Sequence, residues 1–273
     1  MAGLKKTEDY TSKMENRELL EKAKKIRRNC LIQVSAAKSS HIGSMLSIAD
    51  ILAYLFYKEI KKEDRFVLSK GHASLALYAV LADKGIISEE MLKTYCKNGS
   101  CLIGHLNHKV PGVEVSTGSL GHGLPMAAGM ALANKIDGKS ARVYCLIGDG
   151  ECQEGAVWES LIFISNHDLK GLVIIIDANK LQGYDFCENI FPEKRLIAML
   201  KATGLNFYEI NGHDFSDMEK TFEKIGNSKN EKASIIFAHT TKGKGVSFME
   251  NKLEWHYKSP DDEQLKKALE ELK

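Results

Sequence analysis

The sequence predicts an α/β fold with an open, mostly parallel sheet and helices on both of its faces. Apolar runs rich in β-branched residues alternate along the chain with segments whose apolar residues recur at helical spacing. The strand-like runs are apolar throughout and do not alternate with polar residues. Strands of that kind are buried on both faces, as in parallel sheets that helices cover from both sides.

The first part of the chain is predicted to be mainly helical. Residues 1–15 are polar and are expected to form a loose tail. Ser88, followed by two glutamates, is typical of a helix N-cap, so a short helix is expected after it. The apolar spacing predicts, in chain order, a helix at 16–34, a helix at 48–56, a strand at 66–68 and a helix at 73–83.

The second part of the chain carries the remaining strands of the predicted sheet. Strands are predicted at 142–147, 172–176, 206–210 and 234–238, and helices from 124, at 154–166, at 193–203, at 218–225 and from 261. The chain has 273 residues without a repeat, a low-complexity segment or a Pro/Ser-rich linker, so we expect a single domain over residues 1–273.

Composition narrows the class of protein. The formal charge of +2 is small for this length, and it argues against the clustered basic face that nucleic-acid binding needs. None of the six cysteines forms a C-x-x-C pair, so a zinc site is disfavoured and free thiols in a reducing compartment are expected. The polar N-terminus lacks the apolar core of a signal peptide, and no apolar stretch is long enough to span a bilayer. We therefore expect a cytoplasmic protein without membrane or nucleic-acid partners.

Two polar triplets follow neighbouring predicted strands: Gly148-Asp149-Gly150 and Asp177-Ala178-Asn179. Because the carboxyl ends of parallel strands share one edge of a sheet, the oxygens of Asp149 and Asn179 are expected to lie close together there. With the backbone carbonyl of Leu181 as a third ligand, they suit a Mg²⁺ ion that holds a diphosphate, which Gly150 lets approach closely. The alternative is a tight turn in which Asp149 only caps the next helix.

Four histidines occupy loops or junctions between predicted elements: His41, His72, His105 and His256. A single loop histidine is usually exposed surface, but four in comparable positions indicate a site. No H-x-x-x-H or H-E-x-x-H spacing is present, so a catalytic zinc helix is disfavoured. The segment 98–123 is rich in glycine and contains three histidines, His105 among them, and a loop of that length in a compact domain is usually functional.

Three segments resemble the N-terminal, thiamine diphosphate-binding domain of the transketolase family. They are 64–72 (DRFVLSKGH), 111–121 (PGVEVSTGSLG) and 148–155 (GDGECQEG), the last of which opens a thiamine diphosphate motif that ends at Asn179. The resemblance runs from about residue 16 to 260. It implies the thiamine diphosphate-binding fold, with thiamine diphosphate and Mg²⁺, or Ca²⁺ or Mn²⁺ in its place, as cofactors.

The resemblance assigns a role to each matching position. Asp149, Asn179 and the Leu181 carbonyl correspond to metal ligands, and His41, His105 and His256 to catalytic histidines that contact the sugar, His256 also contacting the cofactor. Glu154 corresponds to a glutamate in the carboxylate network that links paired active sites. The remaining cofactor-binding positions implied are His72, Gly118, Ser119, Leu120, Gly150 and Glu151.

The chain also departs from the family pattern. Ile42 stands where proline is frequent, and Tyr257 stands where glycine is frequent, which would crowd the donor pocket. The resemblance covers only the N-terminal domain of a transketolase, whose further domains carry the activating glutamate and most substrate-phosphate groups. It therefore implies one subunit of a split transketolase, active with a separate C-terminal subunit that carries the pyrimidine-binding domain, with two copies of each, acting on a sugar or sugar phosphate.

Three other functions stay open at this point. Another thiamine diphosphate enzyme is one, either a 2-oxo-acid dehydrogenase α subunit or a protein like deoxyxylulose-phosphate synthase, which the segment 241–245 (TKGKG) favours. A regulatory subunit that kept the fold without the chemistry is another. A nicotinamide-binding domain is the third, but no G-x-G-x-x-G follows the first strand.

Overall fold

Five parallel strands form one sheet in the described part of the chain. The structure is a computed structural model that describes the backbone of residues 2–273 and the side chains of residues 15–273. The strand order is β1-β2-β3-β5-β4, and every neighbouring pair is parallel. The strands are β1 (Arg65–Leu68), β2 (Val143–Gly148), β3 (Leu172–Ala178), β4 (Asn206–Asn211) and β5 (Ser234–His239). The predicted fold class is confirmed.

The helices connect the strands and cover the sheet. They are α1 (Ala2–Ala37), α2 (Ile42–Ser47), α3 (Ala49–Tyr54), α4 (Ser74–Asp83), α5 (Glu89–Leu92), α6 (Gly123–Ile136), α7 (Gly155–Asn166), α8 (Cys187–Ile190), α9 (Glu193–Ala202), α10 (Phe215–Asn227) and α11 (Asp262–Glu271). The Ser88 side chain accepts a hydrogen bond from the backbone N–H of Met91, so the predicted cap before α5 is confirmed. The helix α1 begins at Ala2, so the backbone at residues 2–15 is helical and does not form the loose tail that was predicted there.

Apolar side chains of successive strand residues enter two cores, one on each face of the sheet. In β2, Tyr144 and Leu146 belong to the core beneath α1, α3, α4 and α10, whereas Val143, Cys145 and Ile147 belong to the core beneath α6, α7 and α9. The strands are apolar throughout because both faces are buried. None of the described helices has the length and apolar character needed to cross a bilayer.

One helix prediction was wrong in its details. The helix predicted at 48–56 is α3, which ends at Tyr54 and continues into a π-helical turn at Leu55–Glu59. A further short helix, α2, was not predicted; it precedes α3, and the two meet at Ile48. All residues of α2 and α3 are buried. Helices surrounded by protein lack the amphipathic period from which boundaries are read, so the sequence pattern could not place the break.

Candidate active site

A cleft of about 400 Å³ opens at the carboxyl edge of the sheet. It gathers nearly all of the predicted site residues. Its lining includes His41, His72, His105, Gly118, Leu120, Asp149, Gly150, Glu151, Glu154, Asn179, Leu181 and His256. Ser119 lines a separate shallow depression with Ser116 and His122, so its predicted contact with the cofactor stays a prediction.

Asp149 follows the last residue of β2 and is buried. Its carboxylate accepts hydrogen bonds from the backbone N–H of Gly150 and from that of Lys180, both at 2.8 Å. Burial raises the pKa of the carboxyl to about 6, with a further contribution from the charge of Asp177. A buried carboxylate whose charged form is disfavoured is a suitable ligand for a cation.

Asn179 and Leu181 lie in the turn that follows β3. Lys180, between them, has a left-handed backbone with φ 69°, which turns the chain back toward the cleft. The Asn179 amide nitrogen donates to Asp177 at 2.8 Å, and its oxygen accepts the backbone N–H of Leu181 at 3.2 Å. The turn therefore holds the two remaining predicted metal ligands beside Asp149, whose carboxylate reaches the residue between them.

Lys242 is a residue of the cleft that the sequence analysis did not single out. It follows β5 and is 1 % exposed. Its ammonium group donates to the carbonyl oxygens of Leu181 at 3.0 Å and Gln182 at 3.1 Å, and it lies 2.9 Å from Nδ1 of His256. Burial lowers the pKa of the Lys242 ammonium group to about 8, and the charge of Lys70 contributes to the same shift.

The predicted histidines form one cluster at the mouth of the cleft. The ring centre of His41 lies 5.2 Å from that of His72, 5.9 Å from that of His105 and 4.9 Å from that of His256. The backbone N–H of His41, which has a φ of 71°, also donates to the carbonyl of His256 at 2.7 Å. The four loops that the sequence predicted to meet are therefore joined here.

Three histidines of this cluster are neutral at pH 7. Burial lowers the pKa of His41 to about 4, and the charge of His105 is the next contribution. Burial also lowers the pKa of His256 to about 3, and there the charge of Lys242 is the next contribution. Burial, then the charge of Lys70, lowers the pKa of His72 well below its usual value. Neutral imidazoles in a cleft with fixed cations are able to donate one hydrogen bond and accept another.

The two predicted glutamates have different surroundings. The Glu151 carboxylate is buried and accepts the backbone N–H of Gly121 at 2.8 Å, the backbone N–H of Gly148 at 3.1 Å and the hydroxyl of Ser69. Glu151 thus holds the glycine-rich loop against the end of β2, and its predicted cofactor contact stays a prediction. Glu154 precedes α7 and borders the same cleft.

Several cleft residues were missed by the sequence analysis. They are Ser44, Lys70, Gln153, Gln182, Gly183, Tyr184 and Lys242. Lys70 and Lys242 do lie within the quoted segments 64–72 and 241–245, where a lysine next to glycine was the available signal. Tyr257, singled out as a departure, does border the cleft, and its ring centre lies 6.3 Å from that of His41.

The residues of the cleft fit a divalent cation bound to a diphosphate. Burial disfavours the charged forms of two residues of the cleft: the negative carboxylate of Asp149 and the positive ammonium group of Lys242. A metal ion would balance the charge of the carboxylate, and a phosphate would balance the charge of the ammonium group, whose three hydrogens already have acceptors. At Gly150, a Cβ atom would lie 3.0 Å from the side chain of Gln182, so glycine leaves room that any other residue would fill.

The chain is similar to known transketolase domains. The family described as transketolase, thiamine diphosphate binding domain, matches residues 20–272. The chain is 39 % identical over 267 residues to an apulose-4-phosphate transketolase subunit of Actinobacillus succinogenes, covering 94 % of this chain and 96 % of that protein. It is 36 % identical over 265 residues to a 6-deoxy-6-sulfo-D-fructose transketolase subunit of a Clostridium species, covering 93 % and 96 % respectively.

A solved structure shows the same fold within a longer chain. The transketolase of Campylobacter jejuni superposes with a TM-score of 0.87 at 33 % identity, covering 93 % of this chain and 43 % of that one. These matches favour transketolase over the 2-oxo-acid dehydrogenase, deoxyxylulose-phosphate synthase and nicotinamide-binding alternatives. The chain belongs to the transketolase family, whose thiamine diphosphate-binding domain it matches over most of its length.

Proposed function

We propose that this chain is the N-terminal subunit of a thiamine diphosphate-dependent transketolase. With a separate C-terminal subunit, it transfers a two-carbon ketol unit from a ketose or ketose-phosphate donor to an aldose acceptor. The observation that carries the proposal is the pair of opposite buried charges, Asp149 and Lys242, in one cleft of a transketolase domain. The names of two relatives, transketolase subunits for apulose 4-phosphate and for 6-deoxy-6-sulfo-D-fructose, support a sugar substrate.

The metal ion is Mg²⁺, or Ca²⁺ or Mn²⁺ in its place, and it is held by Asp149, Asn179 and the carbonyl of Leu181. That carbonyl already accepts a hydrogen bond from Lys242, but a carbonyl oxygen has a second lone pair. The cofactor is further held by His72, Gly118, Leu120, Gly150, Glu151 and His256, which line the same cleft, and by Ser119, which lies between Gly118 and Leu120 in the chain.

The histidines of the cleft serve the reacting end of the sugar. When bound, thiamine diphosphate supplies the carbon nucleophile for the transfer. Because the Lys242 ammonium donates to Nδ1 of His256, the proton of that neutral ring lies on Nε2. Nε2 is then a donor for an oxygen that gains negative charge. His41 lies beside the His256 ring and His105 beside His41, where both are placed to donate hydrogen bonds and move protons.

A partner subunit completes the active site in this proposal. This chain covers nearly the whole length of two relatives that are named as transketolase subunits. It spans less than half of the Campylobacter transketolase. We propose two copies of each subunit, with Glu154 in a carboxylate network that links the paired sites. The six free cysteines are consistent with the reducing cytoplasm in which we place the enzyme.

Reconstitution with the co-purifying partner tests the proposal. The full chain is purified alone and together with that partner, and each sample is assayed with thiamine diphosphate, Mg²⁺, a ketose donor and an aldose acceptor. We expect two-carbon transfer in the mixture and almost none from the chain alone. Full activity of the chain alone would contradict the need for a partner. Pyruvate-dependent products from the mixture would instead indicate a different thiamine diphosphate enzyme.

A further inference from the structure

Asp177 is a fully buried carboxylate to which the sequence analysis gave no role of its own. It lies in β3, two residues before Asn179, and its exposed fraction is 0 %. It accepts four side-chain hydrogen bonds, from the hydroxyls of Ser47 and Thr240, the amide of Asn179 and the ammonium group of Lys70. A buried carboxylate with that many donors is fully satisfied as an anion.

The four donors come from four different segments that build the cleft. Ser47 ends α2, the helix that begins after His41. Lys70 lies between β1 and His72, and Thr240 lies between β5 and Lys242. Asn179 follows β3 itself. One carboxylate therefore connects the loops that carry the histidines, the buried lysines and a proposed metal ligand.

The hydrogen bond to Asn179 also fixes which end of that amide faces the cleft. A carboxylate accepts only, so the Asn179 group that lies 2.8 Å from it must be the NH₂ group. The amide oxygen then lies on the opposite side, where it accepts the Leu181 N–H at 3.2 Å and keeps a lone pair for a ligand. Asp177 thus supplies the shorter of the two hydrogen bonds that select this orientation, and without it only the Leu181 N–H remains to hold the amide.

We propose that Asp177 is a positioning residue that orients the oxygen of Asn179 toward the metal ion and holds the Lys70 ammonium at the floor of the cleft. This inference rests on the proposed metal site of Asp149 and Asn179. We assign Asp177 no ligand role of its own, because its carboxylate is fully buried and already accepts four hydrogen bonds, three of them at Oδ2. Residues that orient a ligand in this way contribute roughly 10- to 100-fold to metal affinity.

The test measures metal and cofactor binding directly. Mn²⁺ is titrated, with thiamine diphosphate present, into the complex of the full chain and its partner, and free Mn²⁺ is followed by electron paramagnetic resonance. We expect Asp177→Asn to weaken Mn²⁺ binding by about 10- to 100-fold. The matched control is Asp83→Asn, which removes a carboxylate that accepts from Lys22 and Tyr57 on a different part of the chain. It is expected to leave Mn²⁺ binding unchanged.

A second substitution separates orientation from a general loss of structure. In the double variant Asp177→Asn, Asn179→Asp, the amide introduced in β3 donates to the carboxylate introduced after it, whose other oxygen faces the metal ion. Asn179→Asp is introduced into both the unmodified chain and the Asp177→Asn variant, and the change in Mn²⁺ affinity is measured in each. We expect the change to be at least about tenfold more favourable in the Asp177→Asn variant. Independent effects of the two substitutions, or unchanged binding by Asp177→Asn, would overturn the inference.

The same titration distinguishes this inference from the proposed function. If the unmodified complex does not bind Mn²⁺ with thiamine diphosphate, or if Asp149→Asn binds it equally well, the metal site itself is wrong. If the unmodified complex binds and Asp149→Asn does not, the site stands, and the Asp177 variants alone decide the positioning role. Circular dichroism of each variant reports whether the fold is retained.

Discussion

The carboxylate of Asp149 accepts a hydrogen bond from the backbone N–H of Lys180 at 2.8 Å, which joins the end of β2 to the turn after β3. Gly148 and Asp177 are paired residues of the two strands, so each triplet begins at the same level of the sheet edge. The parallel register thus brings the proposed metal ligands from the two triplets together, although they are far apart in sequence. Strand pairing, and not local sequence, builds this part of the cleft.

Asp149→Asn is expected to stabilise the chain in the absence of cofactor. Burial raises the pKa of Asp149 to about 6. Below about pH 4 the carboxyl is protonated in both the folded and the unfolded chain, so its burial does not lower the stability of the folded state. The penalty grows as the pH rises toward 6 and is complete above it. At pH 7.5 the variant should therefore unfold with a free energy about 2 kcal/mol higher than the unmodified chain. Chemical denaturation at pH 7.5 and pH 4 measures the difference, which should vanish at the lower pH.

The same substitution is expected to abolish stabilisation by the cofactor. In complex with the partner, thiamine diphosphate and Mg²⁺ should raise the melting temperature of the unmodified protein, because they bind only the folded state. Asp149→Asn should remove most of that rise, since the metal ion loses its charged ligand. An equal rise in both proteins would show that Asp149 does not hold the metal ion.

Lys242→Met is expected to weaken cofactor binding and to stabilise the cofactor-free chain. The pKa of Lys242 is lowered to about 8, so the folded state carries the full penalty below pH 8 and loses it as the pH rises from 8 toward 10.5. Below pH 8 the variant should be more stable by about 2 kcal/mol in the absence of cofactor. Its affinity for thiamine diphosphate with Mg²⁺ should fall about tenfold or more, because the buried positive charge that balances the diphosphate is lost. Calorimetric titration and denaturation at pH 7 test the two parts separately.

Acid is expected to destabilise the folded protein, because the buried histidines of the cleft are neutral in the folded state. The pKa of His41 is lowered to about 4 and that of His256 to about 3, so the unfolded chain takes up protons first as the pH falls below 6.5. These groups therefore remove stability between pH 6.5 and about 4. His256→Gln should lessen the loss by about 1 kcal/mol at pH 4, after allowance for solvent screening. Denaturant titrations of both proteins at pH 7 and 4 check this, and equal losses would contradict a buried neutral ring.

Gly183→Ala is expected to impair activity without unfolding the protein. A Cβ atom there would lie 2.7 Å from the hydroxyl oxygen of Tyr257 and 3.2 Å from Nε2 of His256. Both side chains must then shift, and kcat/KM should fall about tenfold or more. Gly129→Ala is the matched control, because its Cβ meets no atom within 4 Å and it lies within α6. It should keep full activity and gain roughly 0.5–1 kcal/mol of stability.

The sequence was sufficient to predict the sheet and most of the residues in the cleft. Asp149 and Asn179 directly follow apolar strands, so their shared edge follows from the parallel fold alone. The break at Ile48 was not predictable, because helices buried on all sides lack an amphipathic period.

Lys242 was missed for a different reason. Its partner carbonyl belongs to Leu181, 61 residues earlier in the chain. A surface lysine and a buried lysine look the same in a sequence, and only the fold shows that this ammonium group is enclosed. Asp177 was overlooked likewise, because its four donors come from segments spread over most of the chain.

Locating the metal ion in a crystal tests the proposed ligands Asp149, Asn179 and Leu181 directly. Crystals of the full chain with its partner, grown with thiamine diphosphate and Mn²⁺, would be measured at a wavelength where manganese scatters anomalously. We expect one strong anomalous peak in each copy of the chain, coordinated by the Asp149 carboxylate, the Asn179 amide oxygen and the Leu181 carbonyl, with the diphosphate beside Lys242. A bound cofactor whose manganese peak lies away from Asp149 and Asn179 would contradict it.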